Sequence, residues 1–514
     1  MSEDSAESLV KHLYVYRDSE RPALQVDSLT LSYKDLIQYV ESTAVHLAST
    51  GVKAGDRVLV MMPNSAEHII GVLATLAIGA IAVPLDTEAG SSRQADAMTQ
   101  TAPRFCLACE NVNTAANICT IRLHIDATTR ALHYSQEGSA SEQEPVVEPR
   151  RRIAFIRFTS GSTGHAKGVV ITDVGQLWTA RTLSDCFGID AEHRELVLVS
   201  MALSGGWQRV AATLYAGGCV VIGAKPLTVG DLLESLVDSS ATGFFTPPPL
   251  VRMLLAGPAS KVSAGLRGCS NIEIGSAALM EQELQDFMAR VPHAQVYVHY
   301  GLTECSRAVV LDAARHPARL ATVGRPLPGV ELKIVDQQGN DLPFEQSGQI
   351  LLRGPQLCSG YWQLPGLNSQ RFIDGWLATG DYGVIDQDGF LTLLGRHDDL
   401  INCGGYCYFP DEVEQALGAP PGIEQYLVAG VPDPRGVLQQ VPWAFVVPTH
   451  ADDWSPMAFL KLARARLPAH MVPRQVVTVP TLPLTASGKP DRRETVKLHA
   501  PRAQIQTDGQ NRDR

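Results

Sequence analysis

Ile153 to Thr172 reads IAFIRFTSGSTGHAKGVVIT. The mostly apolar run Ile153 to Phe158 predicts a buried strand, and Val169 to Thr172 predicts another. The turn between them holds small residues, hydroxyls and one lysine. Gly161 and Gly164 let the backbone take positive φ and approach an anion closely, while Thr159, Ser160, Ser162 and Thr163 bring hydroxyl donors and Lys167 a positive charge. A strand opening into such a turn predicts a phosphate-binding loop on an α/β sheet. A P-loop kinase or NTPase would need GxxxxGK followed by Ser or Thr, whereas Lys167 stands between Ala166 and Gly168, so that reading fails on spacing. A flexible Ser/Gly linker would not be framed by two apolar strands.

Outward from this loop, strand and helix signals alternate. LTLSY reads as a strand, KDLIQYVESTAVHLAST as an amphipathic helix and DRVLVMM as a strand, and a helix from Ser65 leads into IAVPLD. This is the βαβ rhythm of α/β architecture. Thr114 to Arg152 is polar and reads as an irregular surface excursion. After Gly395 a new α+β unit begins, with PDEVEQALG as a helix start and VPWAFVVP as a strand; from Pro501 the chain is polar and aperiodic and reads as a disordered tail. The apolar stretch Ile69 to Leu85 is too short for a membrane span, contains Pro84 and follows the helix-start signal NSAE, so it reads as a buried helix running into a buried strand.

Composition fits a large globular enzyme. The 514 residues exceed what one core holds, so two or more domains are expected, and 45% hydrophobic with 19% charged residues are ordinary values. A formal net charge of -11 argues against nucleic acid or an anionic membrane as the main partner. The N-terminus, MSEDSAESLVKHLYVY, is acidic where a signal peptide would be basic, and the ten cysteines show no paired framework, so a reducing cytoplasm is the expected setting. Cys106 and Cys109 form a lone CxxC with no second pair to complete a zinc site, and packing is the better reading.

Four further motifs follow the phosphate loop: YGLTE (Tyr300 to Glu304), ATGD (Ala378 to Asp381), GRHDDLINCGG (Gly395 to Gly405) and TASGKPDRR (Thr485 to Arg493). In this order the set resembles the adenylate-forming superfamily, which includes acyl-CoA synthetases, adenylation domains of peptide synthesis and luciferases. The resemblance implies an α/β fold with a large multi-layer N-terminal domain, residues 1–397, and a small mobile α+β C-terminal domain, residues 398–500, before a tail at 501–514. It implies ATP, Mg²⁺ and a carboxylic acid as the reacting set.

Carried over residue by residue, the resemblance gives Tyr300 and Gly301 an adenine-facing place and puts Thr303 on a phosphate oxygen. It gives Glu304 the Mg²⁺ ion, which suits a hard carboxylate ligand. Gly275, Ser276 and Ala277, in GSAAL, resemble the adenine-binding stretch. Asp381 takes both ribose hydroxyls, which its two acceptor oxygens allow, and Arg396 reaches the same nucleotide. Lys489 corresponds to the catalytic lysine that bridges the acid carboxylate and the α-phosphate, and Asp398 to the hinge. Taken singly, Glu304 would read as a surface acid and Asp381 as a turn residue. Their order with the other motifs reverses that.

The acceptor is read from two conflicting signals. Gly404 and Gly405, in GGYCYFPDEVE, resemble acid-CoA ligases, where adjacent glycines leave room for a pantetheine arm. LPAHMVP and LPLTASGKPDR resemble adenylation domains instead, and SMALSGG places Leu203 where the family often has a gating histidine. CoA is the leading acceptor, with an amine or a carrier-protein thiol as alternatives. SMALSGG has no Asp to pair with an α-amino group, and Leu203, Ser204, Gly205, Trp207 and Pro248 predict a compact pocket for an aryl or cyclic acid. Outside the enzymes, the rival is a nucleotide-binding protein without catalysis, against which Lys489, Glu304 and Asp381 argue.

Overall fold

The computed structural model describes residues 8–87, 91–109, 118–138, 152–159, 166–223, 226, 228–277, 279–404, 406–435, 437–450, 454–485 and 490–500. The chain divides into two units: Met1–Lys333 with Leu351–Thr379 and Asp386–Leu391, and Ile334–Ile350 with Gly380–Ile385 and Thr392–Arg514. Each has its own sheets.

The first unit holds two mixed sheets. Its strands in chain order are β1 (Pro22–Val26), β2 (Leu29–Ser32), β3 (Arg57–Met61), β4 (Ile81–Leu85), β5 (Phe105–Ala108), β6 (Cys119–Ile125), β7 (Leu132–Glu137), β8 (Ile153–Phe158), β9 (Gly168–Thr172), β10 (Arg194–Leu196), β11 (Cys219–Ile222), β12 (Gly243–Thr246), β13 (Asn271–Ile274), β14 (Gln295–Leu302), β15 (Ser306–Asp312) and β16 (Arg325–Pro326). One sheet runs β7-β6-β5-β3-β4-β8-β9 and the other β16-β15-β14-β13-β12-β10-β11-β1-β2. In both, parallel strands occupy the middle and antiparallel pairs the edges, β6 with β7 and β8 with β9 in the first, β1 with β2 and β14 with β15 in the second. Strands β3, β4, β5 and β8 are buried along their whole length. That explains their near-continuous apolar sequence, since helices cover both faces of a parallel sheet.

The helices begin where the sequence stops them from beginning elsewhere. Ser32 and Asp35 form a reciprocal capping box on Tyr33–Ser49, and the Ser65 side chain accepts from the His68 N–H to start Ala66–Ala77. The stretch from Ile69 to Leu85 is thus the expected buried helix and strand. Among the described residues no helix is long and apolar enough to cross a membrane.

One expectation is corrected. The polar stretch after Thr114 contains β6 and β7, paired antiparallel from Thr120 with Glu137 to Ile125 with Leu132. β7 is a sheet edge with mostly exposed residues, so it carries almost no apolar signal of its own. Pairing with buried β6 makes it a strand.

In the second unit, Ile423–Pro432 pairs antiparallel with Gln440–Pro448, which pairs parallel with Gln475–Thr478. Helices Pro410–Leu417 and Pro456–Arg466 accompany this small sheet, whose core includes Val413, Val428, Ala444 and Phe459. The tail from Pro501 lies outside the described residues.

Candidate active site

The base of the phosphate loop is fixed on all sides. Phe158 of β8 pairs with Gly168 of β9, and the Thr159 N–H donates to the Lys167 carbonyl at 3.1 Å, closing the neck. On the exit side, the Ala166 N–H donates to Asp96 at 3.0 Å, its carbonyl accepts from Gln100 at 2.7 Å, and the Gly168 carbonyl accepts from the Trp362 N–H at 2.7 Å. Ser160, Gly161, Ser162, Thr163 and Gly164 lie outside the described residues.

Glu304 follows β14 in the turn toward β15. The Tyr361 hydroxyl donates to one of its carboxylate oxygens at 2.7 Å, and its backbone carbonyl accepts from the Cys358 N–H at 2.8 Å. Burial and the Glu304 charge both push the Tyr361 phenol up, so it stays a protonated donor. The Ser359 to Tyr361 segment is itself hydrogen-bonded to β9, with the Ser359 N–H on the Val170 carbonyl at 2.8 Å and the Val170 N–H on the Gly360 carbonyl at 2.9 Å. The acid assigned to the ion is therefore tied through Tyr361 to the strand that leaves the phosphate loop. Tyr361 carries no sequence signal for this role.

Thr246, Gly275 and Tyr300 stand at or near the carboxyl ends of the adjacent parallel strands β12, β13 and β14, the end of a parallel sheet where ligands bind. Tyr300 is buried, Gly301 pairs in register with Arg307, and Thr303 is half-buried in the turn. The Gly275 N–H donates to the Thr246 carbonyl at 3.2 Å, and a Cβ at Gly275 would lie 2.1 Å from the His299 ring, so only glycine fits. Ser276 holds a left-handed φ of 76°, a strained conformation for a residue with a side chain, and Ala277 follows it half-buried.

SMALSGG forms the entry to the helix Ser204–Tyr215. Leu203 is its N-cap, with extended backbone, and its N–H donates to the Ser200 carbonyl at 3.0 Å. The Ser204 hydroxyl accepts from Gln208 at 3.0 Å. A Cβ at Gly205 would sit 2.7 Å from the Phe245 ring, so the absent side chain lets the helix start press against that aromatic. Trp207 is fully buried with its ring edge on Phe155, 5.6 Å between centroids, and Pro248 is buried in the first turn of Pro248–Ala256.

Within the second unit, Asp381 is buried, with its Oδ1 3.6 Å from Nε of the exposed Arg396. Asp398 sits in the single turn His397–Asp399, 3.0 Å from Arg493. The neighbouring Arg492 holds Asp411 and Glu414, and burial pushes Glu414 up to about 7 despite that arginine. Gly404 has φ 64°; Gly405 and Lys489 lie outside the described residues.

Residues 13–362 match the family model for AMP-binding enzymes, and residues 412–489 match the model for the AMP-binding enzyme C-terminal domain. The chain belongs to the AMP-binding enzymes. Among this enzyme's relatives, feruloyl-CoA synthase of Amycolatopsis sp is 28% identical over 91% of this chain and 94% of its own. An amide bond synthetase from Marinactinospora thermotolerans superposes with a TM-score of 0.83 at 26% identity, covering 95% of this chain and 99% of that one. The o-succinylbenzoate CoA synthetase of Bacillus subtilis, solved with ATP and magnesium ion, gives 0.81 at 26% identity over 94% and 98%. This protein is an AMP-forming acid ligase with an ATP site.

Beneath the site of this AMP-binding enzyme lies a layer of buried charge. Glu273 on β13 receives Arg307 Nε at 2.8 Å and Nη2 at 3.0 Å, and His299 Nδ1 lies 2.6 Å away. Arg209 pairs with Glu195 at 2.5 Å and lies 3.7 Å from Glu273, while His193 reaches Glu195 at 2.9 Å. Burial alone would raise the Glu273 carboxyl, but Arg307 and His299 overcome it and hold it well below the usual range. Arg307 also donates to the Gly205 carbonyl at 3.1 Å and to Gln208 at 2.6 Å, so the charged layer fixes the start of the helix Ser204–Tyr215. Its sequence signal is slight: a lone Glu inside the apolar strand NIEI, and an Arg at the start of SRAVVLD.

Proposed function

We propose that the enzyme activates a compact hydrophobic carboxylic acid, aryl or cyclic, and transfers the acyl group to the thiol of CoA. The observation carrying this reading is the apolar start of Ser204–Tyr215, where Gly205 abuts Phe245 two residues after Leu203, together with the buried Trp207 and Pro248. The likeness to feruloyl-CoA synthase supports an aromatic acid and CoA. The setting proposed is the cytoplasm.

In the first half-reaction an oxygen of the acid carboxylate attacks the α-phosphorus of ATP, the bond to the β-phosphate oxygen breaks, and acyl-adenylate and pyrophosphate form. In the second, the acceptor attacks the acyl carbon and AMP leaves. The phosphate loop and Lys167 receive the triphosphate, where preorganised donors stabilise charge that grows on the phosphate oxygens. Tyr300 and the Gly275 to Ala277 segment take adenine, Thr303 a phosphate oxygen, and Asp381 with Arg396 the ribose side. Lys489 brings the bridging cation, and Asp398 is the hinge about which the C-terminal domain alternates between half-reactions. Glu304 would hold Mg²⁺: its hydrogen bond to Tyr361 engages one carboxylate oxygen, and a single carboxylate beside nucleotide phosphates suits that ion. When bound, Mg²⁺ neutralises phosphate charge.

A second reading, amide synthesis with an amine as acceptor, is favoured by Leu203 at the position of the family's gating histidine and by the likeness to an amide bond synthetase. A carrier-protein thiol is a third acceptor, motivated by TASGKPDRR. Pyrophosphate release measured over a panel of aryl, cyclic and fatty acids, then product formation with CoA, amines or a carrier protein, separates these readings. Preference for long fatty acids would overturn the pocket assignment, and amide product without thioester would replace CoA by the amine.

A further inference from the structure

Arg157, on β8 two residues before Thr159, is 2% exposed, and among the described residues it has no carboxylate partner. Its guanidinium lies 4.4 Å from the Phe155 ring centre and 6.0 Å from that of Trp207. Nη1 donates to the backbone carbonyls of Ala202 at 2.8 Å and Met201 at 3.3 Å, while Nη2 is buried without a hydrogen-bond partner. Burial pushes this arginine down to about 9. The neighbouring imidazole of His68, itself pushed down to about 4 chiefly by burial, brings no negative charge.

A buried cation without a counter-charge costs stability, and an apolar side chain of similar volume is the better structural choice at such a place. What Arg157 gains is a grip on one loop. The carbonyls it holds belong to Met201 and Ala202, directly before the Leu203 N-cap, and the same loop is held from the other side by Asn64. Asn64 accepts from the Met201 N–H at 2.8 Å and donates to the Val199 carbonyl at 3.2 Å. One guanidinium nitrogen reaches both carbonyls while the delocalised plane stays against Phe155, a more weakly hydrated cation than an ammonium would be.

We propose that Arg157 is a positioning residue for acid binding, tying the Ser200 to Leu203 loop to the strand that runs into the phosphate loop. The inference rests on reading that loop as acid-facing. Arg157 contacts the acid loop, so its loss acts on the acid and leaves nucleotide binding alone.

The test uses the full-length enzyme and its Arg157→Met and Arg157→Lys variants, assayed by acid-dependent ATP–pyrophosphate exchange, which needs no acceptor. Arg157→Met is expected to melt at the parental temperature or above, to raise KM for the acid at least about tenfold and to leave KM for ATP within about twofold. Arg157→Lys, which keeps the charge but loses the planar, weakly hydrated guanidinium, should fall between parent and Met variant in acid KM. Hydrogen exchange across residues 199–208 should be faster in Arg157→Met and unchanged across β13 and β14. An unchanged acid KM, or a lower melting temperature with both KM values rising together, overturns the proposal. If the parent exchanges with no acid on the panel, the proposed function fails by itself. Hydrogen exchange then still decides Arg157, and parental protection of 199–208 in the Met variant overturns it.

Discussion

Glu273 and Arg307 are 0% and 2% exposed in the N-terminal unit, while Asp398 and Arg493 are 47% and 49% exposed in the C-terminal unit, and both pairs stand next to residues assigned to the reaction. The first pair is doubly hydrogen-bonded, shares its carboxylate with His299 and leans on Arg209. The second joins a single turn to the helix Arg492–His499 through half-exposed side chains, with His397 at 3.7 Å from the same Asp. Water is excluded from one and competes for the other, so one locks geometry and the other can break and re-form at little cost. The contrast teaches that rigidity lies under the helix Ser204–Tyr215, while the contact at Asp398, the proposed hinge, is held weakly.

The sharpest way to break that contrast is to remove one partner of the buried pair. Arg307→Met leaves Glu273 without its bidentate donor and should cost about 3–5 kcal/mol of unfolding free energy in urea titrations. Because the folded Glu273 carboxyl lies below its unfolded value, the pair's contribution is full above about pH 4.3 and is lost as pH falls further, toward the folded pKa. The parent should therefore lose stability more steeply than the variant below that pH, and parallel stability profiles would remove Glu273 from the locking role.

Next in size is the lysine proposed to bridge acid and α-phosphate. Lys489→Ala should lower the adenylation rate at least about a hundredfold while changing ATP affinity less, as expected for a contact made in the transition state. Near-parental pyrophosphate release in that variant would sink the assignment. Glu304→Ala should raise the Mg²⁺ concentration for half-maximal rate by at least about tenfold, read from titrations of metal at saturating ATP. Unchanged metal dependence would take Glu304 out of the ion site.

The hinge gives a selective effect. Asp398→Pro fixes φ near about -65° and should slow acyl transfer at least about tenfold while pyrophosphate release stays within about threefold of the parent. If a folded variant performs both steps at parental rates, the chain turns elsewhere. Smallest is the half-exposed ion pair itself: Arg493→Ala should change unfolding free energy by less than about 1 kcal/mol. A loss comparable to that of Arg307→Met would show the two regions to be equally locked.

Much of the fold was legible because its strands and helices carry their own signals. β8 and β9 were visible as apolar runs around a glycine-rich turn, and the helix after Ser65 was marked by its cap. β7 was not, since an exposed edge strand is defined by its partner and not by its own residues. The site divides in the same way. Glu304 and Asp381 are proposed for the site because motifs place them, whereas Tyr361, which donates to Glu304 from 57 positions away, stands in no pattern with it.

By itself the sequence determined the family and the α/β class, and it carries the proposed assignment of residues to nucleotide and acid, because these signals reside in short contiguous motifs whose spacing is chemical. Only the tertiary structure decided how the helix Ser204–Tyr215 is held. Glu273, Arg307, His299 and Arg209 come from three strands and one helix, and Arg157 reaches its loop across more than forty residues. Such buried charges are met by partners from distant parts of the chain, and that meeting leaves no mark along the sequence.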